Sequence, residues 1–124
     1  MLIRSRDDLD GVDWGNGQSV RLLTDADNMG FTVAHTVVRA GTESRLQYRR
    51  HLEACYCIAG RGEVETPDGT IRPITPGTLY ALDQNDAHIL RADRDEDLTL
   101  VSVFNPPLTG LERHQLSGAG YSHY

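Results

Sequence analysis

The chain is cut into short apolar runs by turn-forming residues, and this punctuation limits its fold more than any other feature. Asp68-Gly69 is a tight hairpin signal and Pro76-Gly77 a second turn. Further glycines and prolines separate runs such as residues 20–23, 31–39, 52–59, 78–82 and 98–104. No window keeps the 3.6-residue period of an amphipathic helix, so the pattern predicts an all-β sandwich or barrel. With 124 residues, the chain has material for one domain and one core. Residues 1–4 read as an edge strand, and the glycine-rich residues 111–124 as a flexible tail over or near the mouth of the barrel.

Composition removes several function classes. The formal net charge is −6, and the arginines are scattered among aspartates, so there is no basic stripe for nucleic acid. All 12 basic residues are arginine, which rules out a lysine Schiff base. No apolar stretch approaches the roughly 18 residues of a membrane span, and residues 1–6 lack a signal-peptide core, so the expectation is a cytoplasmic protein without a membrane partner. Cys55 and Cys57 lie two apart on one predicted strand, too awkwardly placed to bridge each other, and read as small buried residues in a reducing compartment.

The chemistry concentrates in residues 48–60. Strand alternation puts His51, Glu53, Cys55 and Cys57 on one face and Ala54, Tyr56 and Ile58 on the other. A carboxylate and an imidazole on an apolar strand face are costly to bury unless they are paired or bound to a metal. Two readings fit: Glu53 pairs with an arginine, or it is a ligand. Elsewhere, Trp14 sits in a glycine-rich loop as either a lid or a plug. Residues 31–39 put Thr32, Ala34, Thr36 and Val38 on one face, and residues 98–104 do the same with Leu98, Leu100, Ser102 and Phe104. Tyr80 and His88 fall on strands expected to be neighbours.

Glu53 is followed six residues later by Gly60, then by Pro76-Gly77 and His88. That order resembles the two motifs of the cupins, small double-stranded β-barrels, although Leu46 and Tyr48 stand where the first motif would have histidines. A more specific resemblance runs over nearly the whole chain. Gly77-Thr78-Leu79-Tyr80-Ala81-Leu82-Asp83, Asp86-Ala87-His88 and Val103-Phe104-Asn105-Pro106-Pro107-Leu108-Thr109-Gly110 are similar to the corresponding runs of the ectoine synthases. This resemblance implies a cytosolic homodimer with a single cupin barrel. Its implied activity is the closure of N-γ-acetyl-diaminobutyrate to ectoine, a compatible solute, with loss of water. It implies Fe(II), or another divalent metal, held by Glu53, Tyr80 and His88. It also implies substrate contacts at Trp14, Ser19, Thr36, Tyr48, Ser102, Phe104, Glu112 and His114, and acid-base work by His51, Tyr48 or Glu112.

Three departures from the family pattern bear on the substrate. Trp14 and Ser19 are separated by four residues where the family usually has one, Ser102 replaces a usual cysteine, and the tail reads His114-Gln115 and Gly120-Tyr121-Ser122. A related enzyme with a shifted substrate is the alternative these departures raise, and a metal-bound solute sensor is a second. An oxygen-activating reading would require a second histidine ligand.

Overall fold

A computed structural model describes residues 1–118 and 120–124. It contains ten strands and two short 3-10 turns. The strands are β1 (Val12–Asp13), β2 (Gln18–Leu23), β3 (Thr32–Val38), β4 (Glu43–Leu46), β5 (Leu52–Ala59), β6 (Gly62–Glu65), β7 (Ile71–Ile74), β8 (Leu79–Leu82), β9 (His88–Ala92) and β10 (Leu98–Asn105). They form a six-stranded sheet in the order β1-β2-β3-β10-β5-β8 and a four-stranded sheet in the order β4-β9-β6-β7, paired antiparallel throughout.

Alternation decides which side chains the two sheets enclose. On β5, Glu53, Cys55 and Cys57 are buried while Leu52, Tyr56 and Ile58 are exposed. On β10, Leu98, Leu100, Ser102 and Phe104 turn inward. Cys55, Cys57, Leu98 and Leu100 meet Leu46, Val64, Ile74, Leu90 and Ala92 of the smaller sheet in one core, and Phe104 packs with Tyr48, Leu82 and Leu108 in a second. Truncating a fully buried leucine such as Leu100 to alanine costs about 2–5 kcal/mol. Outside the smaller sheet, Arg91 reaches Glu43, Glu63 and Glu65 at 2.7, 2.9 and 2.8 Å. That network fixes β6 and β9 side by side, though each half-exposed pair contributes at most about 1 kcal/mol.

Two glycines are required by close backbone approach. Gly60, with φ +77°, ends β5 where a Cβ would collide with the Asp97 carbonyl. Gly17 turns β1 into β2, and a Cβ there would strike the Val37 carbonyl oxygen, the acceptor of the Trp14 indole N–H at 3.0 Å. The four-residue spacer between Trp14 and Ser19 is thereby folded into a hairpin, and Trp14 becomes a buried wall rather than a lid.

Two sequence expectations are corrected. Residues 1–4 form no strand; Arg4 instead clamps the turn at Asp27 with two hydrogen bonds of 2.8 and 2.7 Å. Tyr80 and His88 are not neighbours in one sheet, because the turn at residues 83–87 carries the chain across the core. They face each other from opposite sheets with ring centroids 6.3 Å apart.

The tail is fastened at His114 and at Ser122. His114 N–H donates to the Trp14 carbonyl, and Ser122 pairs with Leu46 in a parallel bridge, exchanging hydrogen bonds with Arg45 and Gln47 at 2.8 Å.

Candidate active site

A cavity lies between the sheets. Its polar wall consists of Ser19 from β2, Thr36 from β3, Glu53 and Cys55 from β5, Tyr80 from β8 and Ser102 from β10. Trp14, Tyr48, Phe104 and Tyr124 supply the aromatic wall. Each inward polar group occupies a position that strand alternation assigns to the core face, which is why residues far apart in sequence converge here.

Glu53 is fully enclosed and lacks any arginine partner, so the pairing reading of this carboxylate fails among the described residues. Burial pushes its carboxyl up to about 8, opposed only by a hydrogen bond with Cys55. Tyr80 stands opposite Cys55 in the β5–β8 register, diagonal to Glu53, and burial raises its phenol well above the ordinary value. His88 is 1 % exposed. Its Nδ1 lies 3.0 Å from the Asp86 carbonyl, which makes that nitrogen the N–H donor and leaves Nε2 as a lone pair. Nε2 has no hydrogen-bond partner and is the one such buried side-chain atom among the described residues.

A buried imidazole lone pair without a partner costs about 1–3 kcal/mol. The His88 ring faces Tyr80 across the core, with ring centroids 6.3 Å apart, and its free lone pair is of the kind that a metal ion satisfies. Among the described residues no three His, Cys, Asp or Glu side chains cluster as a metal site. The set formed by Glu53, Tyr80 and His88 includes a phenol in place of a third such residue, and this mixture of oxygen and nitrogen donors suits a divalent first-row metal.

The family model for ectoine synthase matches residues 1–123 of this chain. The chain belongs to the ectoine synthase family. The L-ectoine synthase of Desulfatibacillum aliphaticivorans is 52% identical, with 96% of this chain and 95% of that protein covered. The crystal structure of the ectoine synthase from P. lautus superposes with a TM-score of 0.84 at 45% identity, covering 89% of this chain and 81% of that one. A cupin 2 conserved barrel domain protein from Salinispora arenicola superposes at a TM-score of 0.67 with 27% identity, covering 84% of this chain and 87% of that one, so the ectoine synthase fold here is a cupin barrel.

Of the residues that the ectoine synthase resemblance singles out, Trp14, Ser19, Thr36, Tyr48, Glu53, Tyr80, Ser102 and Phe104 line the cavity together. His114 lies behind this wall, with Nε2 3.0 Å from the Tyr48 hydroxyl and Nδ1 2.9 Å from Ser122 Oγ. Burial holds the His114 imidazole down to about 3, so it is neutral. Three more residues lie outside the cavity wall: His88, which faces Tyr80 from the smaller sheet, His51 and Glu112. His51 turns Nδ1 to the Pro106 carbonyl at 2.7 Å and rests edge-on against Phe104. Glu112 is partly buried, which raises its carboxyl, but the backbone amides around it outweigh this; Thr109 and Gly110 donate to it at 2.8 and 2.9 Å.

Three residues of the site escaped the sequence reading. Tyr124 lies against the His114 ring at 4.2 Å and closes the cavity, and Ser122 locks His114 from behind. Tyr124 carries no sequence signal, and Ser122 shows only as part of the tail's departure from the family pattern. Arg21 does carry one: it shares the inward face of β2 with Ser19, two residues away, where a cation is out of place.

Proposed function

We propose that this chain is a metal-dependent ectoine synthase that closes N-γ-acetyl-diaminobutyrate into ectoine with loss of water. The observation that carries the reading is the unpartnered, buried Nε2 of His88, on a ring that faces Tyr80 across the core, with Tyr80 diagonal to the buried Glu53 in the β5–β8 register. We assign Glu53, Tyr80 and His88 as ligands and Fe(II) as the ion, with other divalent metals as substitutes. When bound, the ion supplies Lewis-acid polarisation of the acetamide carbonyl.

The residues of the chain do the rest. Phe104, Trp14 and Tyr124 enclose the flexible substrate and hold its amine against the carbonyl carbon, and orientation of this kind can contribute up to about 7–11 kcal/mol in intramolecular models. The α-amine nitrogen forms the new C–N bond, two of its hydrogens leave with the acetamide oxygen as water, and the product is a cyclic amidine. A neutral phenol serves that transfer, taking one hydrogen as it gives up its own. Tyr48 is the phenol, and His114 fixes the direction of its hydroxyl. Thr36 Oγ1 and Ser102 Oγ, 3.1 Å apart, form a polar shelf in the same wall. His51 and Glu112 serve this chemistry indirectly, His51 by bracing Phe104 and Glu112 by shaping the turn that leads into His114.

The test is to incubate the iron-loaded protein anaerobically with N-γ-acetyl-diaminobutyrate and measure ectoine by chromatography. Ectoine is expected, and Glu53→Ala, Tyr80→Ala and His88→Ala are each expected to lower bound iron. Absence of product, or full iron content in all three variants by elemental analysis, refutes the assignment.

The family resemblance and one surface support a homodimer in the cytosol. Leu52, Tyr56 and Ile58 of β5, Leu79 of β8 and Val103 of β10 are exposed on the outer face of the larger sheet, where Tyr56 is in register with Leu79. A second copy of the chain is the occupant that buries this face. Light scattering at micromolar concentration should give a dimer, and a monomer there refutes it. Both cysteines are free and buried, in keeping with a reducing compartment. No helix among the described residues is long and apolar enough to cross a membrane.

A further inference from the structure

Arg21 is a cation on the core face of a strand, 9% exposed and without a carboxylate within ion-pair distance among the described residues. Glu112, the nearest carboxylate in its hydrogen-bond network, is turned to backbone amides. The guanidinium instead gives its N–H groups to neutral oxygens. One goes from Nε to Ser19 Oγ at 2.9 Å, the others to the carbonyls of Gly110 and Glu112 at 2.9 and 2.8 Å. A guanidinium is a permanent cation, and carbonyl dipoles solvate it without cancelling its charge.

The contact at Nε has a directional consequence. A hydroxyl has one hydrogen to give, and the Arg21 N–H can only donate, so Ser19 must accept. Its own hydrogen is then free to point elsewhere, and Ser19 lines the cavity. The other hydroxyls of the wall are already engaged: Thr36 with Ser102, Tyr48 with His114, Tyr80 with the Cys55 thiol, and Tyr124 with Tyr48. Ser19 is thus the hydroxyl in that wall whose sole partner is a donor. It lies on β2, three strands across the curved sheet from Glu53 on β5.

We propose that Arg21 is a positioning residue that turns the Ser19 hydroxyl into the cavity as a hydrogen-bond donor for the carboxylate shared by substrate and product. The inference rests on the ectoine synthase reading and gives the ligand a direction. Its carboxylate meets Ser19 at the β2 end, backed by the uncancelled charge of Arg21, while the acetamide lies toward Glu53, Tyr80 and His88.

Calorimetry with two ligands tests this directly. One is ectoine; the other is 2-methyl-1,4,5,6-tetrahydropyrimidine, the same ring without the carboxylate. Ser19→Ala and Arg21→Lys should each weaken ectoine binding by about tenfold, the scale of a hydrogen bond to a charged group, and leave the tetrahydropyrimidine within about twofold. Because Arg21 acts through Ser19, adding Arg21→Lys to Ser19→Ala should weaken ectoine by less than about a further twofold. Equal losses for the two ligands, additive losses in the double variant, or no ectoine binding to the unmodified protein overturns the proposal. Since the pair of ligands also compares binding on the unaltered chain, a variant that fails to fold leaves the test intact: there, ectoine must bind more tightly than the ring without the carboxylate, and equal affinities overturn the proposal. The functional reading fails on a separate result, an iron-loaded protein that binds ectoine yet forms none from N-γ-acetyl-diaminobutyrate.

Discussion

Tyr48→Phe isolates the hydroxyl on which the proposed hydrogen transfer depends. The ring is 4% exposed and packs edge-on to Phe104 at 5.2 Å and to Tyr124 at 5.1 Å, contacts that a phenylalanine keeps. What is lost is one oxygen, with two consequences that can be read separately. His114 Nε2 loses its partner at 3.0 Å while still 4% exposed, and an orphaned buried group costs about 1–3 kcal/mol. For a chain of this length, about 2 kcal/mol lowers Tm by roughly 6–12 °C. The catalytic loss should be larger, because removing a general acid-base group typically costs about 10²–10⁴ in rate. KM should stay within about threefold, since the aromatic wall is unchanged. The assay is steady-state formation of ectoine at a temperature well below the variant's own Tm, with calorimetry for stability. A kcat within about threefold of the unmodified protein refutes the role given to Tyr48, whatever happens to Tm.

The remaining predictions concern charge and backbone. In the metal-free protein the Glu53 carboxyl is raised from its ordinary 4.5 to about 8 by burial, so between those values the folded chain holds a proton that the unfolded chain has released. Stability must then fall as pH rises from about 4.5 to 8. Glu53→Gln should flatten that slope in urea titrations of the metal-free protein, and an unchanged slope counts against an enclosed, unpaired carboxyl. Gly17→Ala should lower Tm by roughly 6–12 °C, the equivalent of about 2 kcal/mol, because the new methyl must displace the Val37 carbonyl and with it the Trp14 hydrogen bond. A shift under about 2 °C would mean that this hairpin yields more easily than its close approach implies.

Much of this protein can be read from the sequence, and the reason is periodicity. A strand has a side-chain repeat of two, so naming β3, β5 and β10 from their apolar runs also names Thr36, Glu53, Cys55, Ser102 and Phe104 as core-facing. Turn chemistry is equally local, which is why Asp68-Gly69 marks the β6–β7 hairpin without reference to the rest of the chain. The family runs around Tyr80, His88 and residues 103–110 carried the candidate ligands in the same way.

Contacts between segments distant in sequence have no local code, and only the tertiary structure decided them. Nothing near Glu53 says whether an arginine reaches it; two sheets had to close before the carboxyl was found unpaired beside Tyr80. Tyr80 and His88, eight residues apart, could lie in one sheet or in two, and the turn at residues 83–87 sends them to opposite walls. The tail gives the clearest case. Its glycines and serines read as loose chain, because local sequence reports the cost of ordering a segment and is silent on the hydrogen bonds waiting for it elsewhere. Those bonds come from Arg45, Gln47, Arg21 and Tyr48, and they hold Gly110, Glu112, His114 and Ser122 in place and bring Tyr124 into the cavity wall, against His114.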